Sequence, residues 1–404
     1  MADSPLRHRN YRVMRVSSCG VEDAGSLLYR DDEGLRCASY SEQQRSWLER
    51  KVGCGEAFLR AMKSRGHDVR QVLCDLEPLQ RTWAWERGIE VDEQNWKSQI
   101  LLQQILDYKP EVLFLQGFES LPAPLRLTIK KQVPSIDLLV IQQGSCNPTP
   151  TVLRELARAD LLFVSSPALA NACRKAGLTP NLVYDAFDPS VLCELPAPSK
   201  LDPASLCGAT FLGTTGKRAD HARRERYLAR LLEDGLLDVY ARQLNANGRI
   251  RRGGPRLGGS ANTRVHDPQF GIDYFELLQR SRVTLDVHCD SAGGYVGNRR
   301  MFEATGVGTC LLTDRGANLP DLFEDGREVV TFSGLADACD KLRYLLEHED
   351  ERAEIAAAGQ ARTLKEHTVH KRVAEIDSWI QQGLAVQRKA TRTRWRGLPG
   401  SLPT

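Results

Sequence analysis

Residues 283–314, VTLDVHCDSAGGYVGNRRMFEATGVGTCLLTD, constrain the fold more than any other stretch of the chain. Val283, Leu285 and Val287 alternate with Thr284, Asp286 and His288 before Gly293, Gly294 and Gly297 interrupt the run. That pattern reads as a strand feeding a loop in which the backbone can approach a ligand closely. A helix is expected from Asn298, with Gly306 placed to cap it and Gly308 to turn the chain into a short apolar strand at residues 309–313. The amides at the helix start, with Arg299 and Arg300 beside them, form a site for a diphosphate. Glu303 falls one turn further along the same face as Arg299, where a carboxylate can accept hydrogen bonds from ribose hydroxyls. The alternative is a packed βαβ unit with an exposed Arg–Glu pair.

The same strand–helix rhythm runs through the rest of the chain. Strands are expected at residues 11–17, 69–74, 111–116, 136–142, 160–164 and 181–185, with helices between them, which calls for an α/β, doubly wound parallel sheet. The helix expected over 42–64 is interrupted by Gly53-Cys54-Gly55, a break that either loosens its packing or admits a ligand or neighbouring strand. Trp83, Trp85 and Trp96 stand in otherwise polar sequence and either stack on a sugar or fill gaps between helices. Asp23 lies in a polar loop after the first strand, and Glu119 follows the buried strand at 111–116. Both fall at the carboxyl edge, where open α/β sheets bind ligands.

Proline and polar residues at 196–206 read as a linker, which divides the chain into an N-terminal unit over 1–195 and a C-terminal unit over 207–386. After the linker, a strand ending at Gly213 leads into Thr214-Thr215-Gly216-Lys217-Arg218 and a basic helix containing Arg223, Arg224 and Arg226. The glycine spacing is not that of a P-loop, yet backbone amides with Lys217 or Arg218 suit an anion. The arginines of the helix equally suit a solvated face. Glycines and arginines crowd residues 242–264, a basic loop, and residues 387–404 read as a basic, disordered tail.

A net charge of +3 gives no global field for nucleic acid, and eleven scattered cysteines without paired ligand spacing read as reduced thiols of a cytoplasmic protein. Neither a signal peptide nor a membrane-spanning apolar run is expected, although the basic tail also suits peripheral contact with an acidic membrane.

The run Gly297-Asn298-Arg299-Arg300-Met301-Phe302-Glu303-Ala304, followed by Gly306, Leu311-Leu312-Thr313-Asp314, Leu319, Phe323, Glu328-Val329, Ala358-Gly359 and His367-Thr368, resembles the GT-B glycosyltransferases. It is most similar to the CgeB-like, spore-maturation group with a C-terminal glycosyltransferase-1-like domain. The likeness covers the last third of the chain; upstream, only Asp188-Pro189 matches the phrase such enzymes place before the linker. The resemblance implies two facing Rossmann-like domains with parallel sheets and C-terminal helices, a nucleotide-sugar held by the C-terminal one, and an acceptor approaching from the N-terminal one. It places Glu303 at the second position of the family's glutamate pair, near the donor ribose. The first position, eight residues earlier, is Tyr295 here. Asn298 falls where relatives carry a glycine whose amide meets the diphosphate, and Lys217 or Arg218 where they carry a basic residue against it. Gly213 and Gly294 complete the expected donor set.

Glycosyl transfer needs positive charge at the leaving diphosphate and, with inversion, a base for the acceptor hydroxyl. Without an Asp-x-Asp motif, the charge is expected from Lys217, Arg218, Arg299 and helix amides, with no obligatory metal and no cofactor besides the nucleotide-sugar. Glu119 is the first choice of base and Asp23 the second. Acceptors expected from the resemblance are a glycan, a lipid-linked sugar, a protein or a small metabolite of bacterial glycan biosynthesis, with no specific nucleic acid. The rivals are a non-catalytic nucleotide-sugar or glycan-binding protein, a GT-B nucleotide-sugar epimerase, and an RNA-binding protein, the last disfavoured by the near-neutral charge.

Overall fold

Strands that are apolar along their whole length cannot leave either face wet, so they must lie in sheets covered on both sides. In the computed structural model, which describes residues 9–19, 28–29, 32–53, 55–144, 146–197, 205–216, 219–244 and 264–396, they form two six-stranded parallel sheets. The first contains β1 (Arg12–Ser17), β2 (Asp68–Leu73), β3 (Val112–Gln116), β4 (Leu138–Gln143), β5 (Leu161–Val164) and β6 (Pro180–Leu182), in the order β2-β1-β3-β4-β5-β6. The second contains β7 (Cys207–Gly216), β8 (Leu237–Leu244), β9 (Val265–His266), β10 (Ser281–Asp286), β11 (Cys310–Asp314) and β12 (Val330–Phe332), in the order β12-β11-β10-β7-β8-β9. The alternation seen in β10 therefore gives no solvated face. Thr284 and Asp286 are as buried as Val283 and Leu285.

Each sheet changes direction once, between β1 and β3 in the first and between β7 and β10 in the second. Ligands of such sheets bind at the crevice beyond the strand ends at this switch point. The segments after β1 and β3 line one cavity through Ser18, Cys19, Gly117 and Glu119, and the segment after β10 lines an adjoining one through His288, Cys289 and Ala292.

The expected long helix is two helices, Tyr40–Glu49 and Gly55–Ser64, the first started by a capping box between Ser39 and Glu42. The break has an interdomain purpose. Gly53 has φ +79°, and a Cβ added there would lie 3.3 Å from Nη1 of Arg299 in the opposite half. Gly306 is not the cap of its helix, which spans Arg299–Gly306 and is capped by Val307. A Cβ at Gly306 would sit 2.4 Å from the Phe187 ring, so this glycine permits a close crossing between the halves. Of the tryptophans, Trp83 is buried, Trp96 packs against the same small cluster, and Trp85 projects into solvent.

The final helix, Val369–Arg396, departs most from the sequence expectation. It runs through residues 387–396, where a disordered tail is expected, and it packs on the N-terminal sheet. Val369, Val373, Ile376, Ile380 and Leu384 recur at helical spacing and bury against Tyr11, Val13, Phe58 and Val140. The chain reaches this position at Phe187, whose N–H donates to His367 O (2.9 Å) and whose carbonyl accepts from Val369 N (2.9 Å). Asp377, wholly buried on this helix, accepts from Tyr11 Oη at 2.9 Å and Arg65 Nε at 2.7 Å and lies 3.1 Å from His67 Nε2. Among the described residues no helix is long and apolar enough to cross a membrane.

Burial alone would push the Asp377 carboxyl up, but hydrogen bonds from His67, Arg65 and Tyr11 hold it well below the usual carboxylate range. Such a depressed group adds stability that is complete above its unfolded value of about 4 and drains away as pH falls further. Asp377→Ala is expected to cost about 3 kcal/mol at neutral pH, since its partners are left buried without an acceptor. Thermal denaturation followed between pH 3 and pH 7 should show that loss shrinking towards the acid end.

Candidate active site

Asp286 ends β10 with its carboxylate fully out of water, and such a charge must be matched locally. Arg300 Nη1 donates to its Oδ1 at 2.6 Å and Asn298 Nδ2 to the same oxygen at 3.1 Å. Asn298 is also the N-cap of the helix Arg299–Gly306, its side chain accepting from Met301 N at 3.1 Å. One residue thus joins strand end to helix start. The Arg300 guanidinium lies over Phe211 at 4.7 Å, and a Cβ on Gly213 would come within 2.1 Å of its Nη2. Gly213 is therefore the residue that lets Arg300 reach Asp286.

The loop between strand and helix hangs on His288. Its Nε2 accepts from Gly297 N at 3.1 Å and Asn298 N at 3.4 Å, while Nδ1 lies 2.8 Å from Asp314 Oδ1. Two donors at Nε2 assign the ring proton to Nδ1, which donates to Asp314. Burial raises the Asp314 carboxyl, but the His288 and Arg223 contacts outweigh it and hold the group well below the ordinary range. Arg224 is buried too, donating to Val287 O at 2.8 Å and Thr214 O at 3.0 Å. Burial, then the Arg300 charge, lowers its pKa. Arg223 and Arg224 are thus structural rather than solvated, whereas Arg226 of the same helix is exposed.

Arg299 turns the other way and is shared by two cavities. One, of about 410 Å³, is walled by Gly213, Phe270, Tyr274, Asn298, Arg299 and Glu303. Glu303 is nearly buried and accepts from Tyr274 Oη at 2.8 Å. Burial pushes its carboxyl above the ordinary value of 4.5, against the opposing pull of Arg299 and the Tyr274 hydrogen bond. The other cavity, about 460 Å³, is built mainly from the N-terminal half, with Arg15, Ser17, Gln71, Gln116, Glu119 and Asp185 in its walls. Arg15 Nη1 donates to Gln71 Oε1 at 2.7 Å and Nη2 to Gln116 Oε1, and Gln71 in turn donates to Ser17. A third cavity of about 180 Å³ lies between the glycine loop and the helix start at Pro167; it shares Asp185 with the second and Asn298 with the first.

Gly213, Asn298, Arg299 and Glu303 therefore meet at one cavity, and Glu119 faces the adjoining one from the turn Phe118–Ser120. Tyr295 lines the third, its hydroxyl accepting from Asn171 Nδ2 of the opposite half at 3.2 Å. Gly294, at φ +83°, makes a turn whose carbonyl accepts from Ala317 N at 3.0 Å. The Asn298 amide, expected to meet a diphosphate, points to His288 instead, which leaves the amides of Arg299 and Arg300 as the ones a helix start offers. Asp23, Lys217 and Arg218 lie outside the described residues, as does most of the basic loop. Sequence reasoning missed Tyr274, Asp314 and Arg15, of which only Arg15, a charge inside the strand RVMRVS, leaves a local signal. Among the described residues no group of three or more His, Cys, Asp or Glu is arranged to hold a metal ion.

Residues 224–378 match the family model described as glycosyl transferase-like. Similar solved structures include HepE from Anabaena with UDP and glucose, at 13% identity and TM-score 0.56 over 93% of this chain and 100% of that one. Sucrose-phosphate synthase from Thermosynechococcus elongatus is similar at 11% identity and TM-score 0.56 over 94% of this chain and 100% of that one. The fold is GT-B. An alpha-glucosyltransferase bound to UDP-glucose and abasic DNA shares this GT-B fold at 11% identity and TM-score 0.58, over 93% of this chain and 100% of that one. No curated protein matches the sequence.

The two neighbouring arginines should separate on substitution. Arg300→Ala leaves Asp286 buried without its counter-charge and is expected to cost about 3 kcal/mol. Arg299→Ala should cost well under half of that, as comparison of their thermal denaturation midpoints with wild type will show.

Proposed function

We propose that this chain moves a glycosyl group from a nucleotide-sugar to an acceptor hydroxyl or similar nucleophile. The observation that carries the proposal is Glu303, a carboxylate oriented by Tyr274 on the wall of a cavity that Arg299 also lines. Ribose hydroxyls donate to Glu303, and the diphosphate lies against the helix start and the Arg299 guanidinium. Lys217 and Arg218 are assigned as further cations, so the scheme requires no metal. The sugar then projects towards the larger cavity, where the acceptor enters. The glycosyl transferase-like match over residues 224–378 supports this, as do the UDP-glucose complexes of HepE and the alpha-glucosyltransferase. Membership of the CgeB-like group, action in bacterial glycan biosynthesis and a cytoplasmic location are the finer parts of the same proposal.

Tyr295 stands where a retaining relative would carry its first glutamate, which favours direct displacement. Glu119 takes the acceptor proton, the acceptor oxygen bonds to the anomeric carbon, and the bond from that carbon to the diphosphate oxygen breaks. The nucleoside diphosphate leaves with the electron pair, stabilised by Arg299 and the helix amides.

Thermal stabilisation by a panel of UDP-, GDP-, CMP- and dTDP-sugars is the first test, because a ligand of the native state alone raises the melting temperature. One nucleotide family is expected to give a shift that Glu303→Ala removes. Affinity for that donor should rise with pH as Glu303 ionises, through a value above 4.5, and Glu303→Gln should flatten the rise. No shift with any donor would defeat the proposal, and binding without transfer would leave a binding protein.

Glu119→Gln is expected to slow transfer by roughly 100-fold or more while leaving donor affinity unchanged. A radiolabelled transfer assay beside equilibrium dialysis separates the two effects.

A further inference from the structure

A separate cavity of about 390 Å³ lies on the N-terminal half, against one face of its sheet beside β2, and shares only Leu48 and Gln71 with the larger cleft cavity. Its volume falls in the range of small-molecule sites. Met14, Leu59 and Val72 give it an apolar floor, and Tyr40 and Trp83 an aromatic wall. Into this setting the helix Trp96–Tyr108 places Gln104, 3% exposed, with neither its carbonyl oxygen nor its amide nitrogen hydrogen-bonded.

The other glutamines nearby are committed. Gln43 donates to Ala38 O at 2.8 Å and Thr82 Oγ1 at 3.0 Å and accepts from Tyr29. Gln80 donates to Leu73 O at 2.9 Å, and Gln44 to Gln71 O at 2.6 Å. A buried carboxamide with both ends unmatched costs stability, and a leucine of nearly the same shape would avoid that cost. Its presence is accounted for when a ligand supplies an adjacent donor and acceptor, the edge a carboxamide reads on a nucleobase.

The mouth of the cavity is basic. Lys63, Arg70 and Arg87 line it with one carboxylate, Asp107, which Arg70 meets at 3.4 Å, and Arg87 also lies 3.5 Å from Glu86 outside the lining, so the cations remain in excess. Arg87 lies over the Trp83 ring at 4.4 Å. A planar ring in the apolar part, an amide-like edge on Gln104 and an anion at the mouth describe one class of molecule. We propose that this cavity binds a nucleoside monophosphate, separately from the donor site, with its base on Gln104 and its phosphate at Lys63, Arg70 and Arg87.

Equilibrium dialysis of AMP, GMP, CMP and UMP against the full chain tests this, using wild type, Glu303→Ala, Gln104→Leu and Lys63→Glu. At least one monophosphate should bind the Glu303→Ala protein as tightly as wild type, which separates this cavity from the donor site. Gln104→Leu should weaken that binding at least tenfold while the unliganded protein melts no lower than wild type. Lys63→Glu, a change at an exposed position, should weaken it several-fold and should not affect the matching nucleoside. Binding of none of the four to Glu303→Ala, or equal affinity in wild type, Gln104→Leu and Lys63→Glu, overturns the proposal.

Discussion

A carboxylate taken wholly out of water at the end of a central strand has to be answered by a cation and by hydrogen bonds, and Asp286 is answered by Arg300 and Asn298. Much of the C-terminal wall follows from that pairing. Because Asn298 serves both Asp286 and the first turn of its helix, the helix start is fixed relative to β10. Because Arg300 is drawn inward, Arg299 faces the cleft and Gly213 can carry no side chain. Two adjacent arginines, alike in sequence, are thereby given opposite tasks.

The same economy joins the two halves. His288 and Asp314 hold the glycine loop from beneath, while Asn318 spans from Val296 to Tyr184 of the other half, its Nδ2 donating to the tyrosine hydroxyl at 2.9 Å. Gly53 and Gly271 allow close approach elsewhere along the cleft; a Cβ at Gly271 would lie 2.2 Å from the Arg50 carbonyl. The cleft is consequently lined by groups whose positions are set from both sides.

Periodicity and glycine placement made the parallel sheets, the central βαβ unit and the positions of Glu303 and Glu119 legible, because each depends on residues near in sequence. What stayed hidden depends on distant residues. Nothing around Glu303 announces Tyr274 as its donor, and nothing in the sequence distinguishes Arg299 from Arg300 until Asp286 is seen to choose one. Gly306 resembled a helix cap because its closeness to Phe187 has no local trace. The last helix carries an apolar stripe at helical spacing, but a stripe does not name the surface it covers.

That stripe also orders events in time. The surface of the first sheet that receives Val369, Val373, Ile376, Ile380 and Leu384 is complete in sequence long before those residues are made. At about 5–20 residues per second, a ribosome leaves it uncovered for on the order of ten seconds or more. The first half therefore emerges as an unfinished body with an adhesive apolar face, which is covered only after the second sheet has been made.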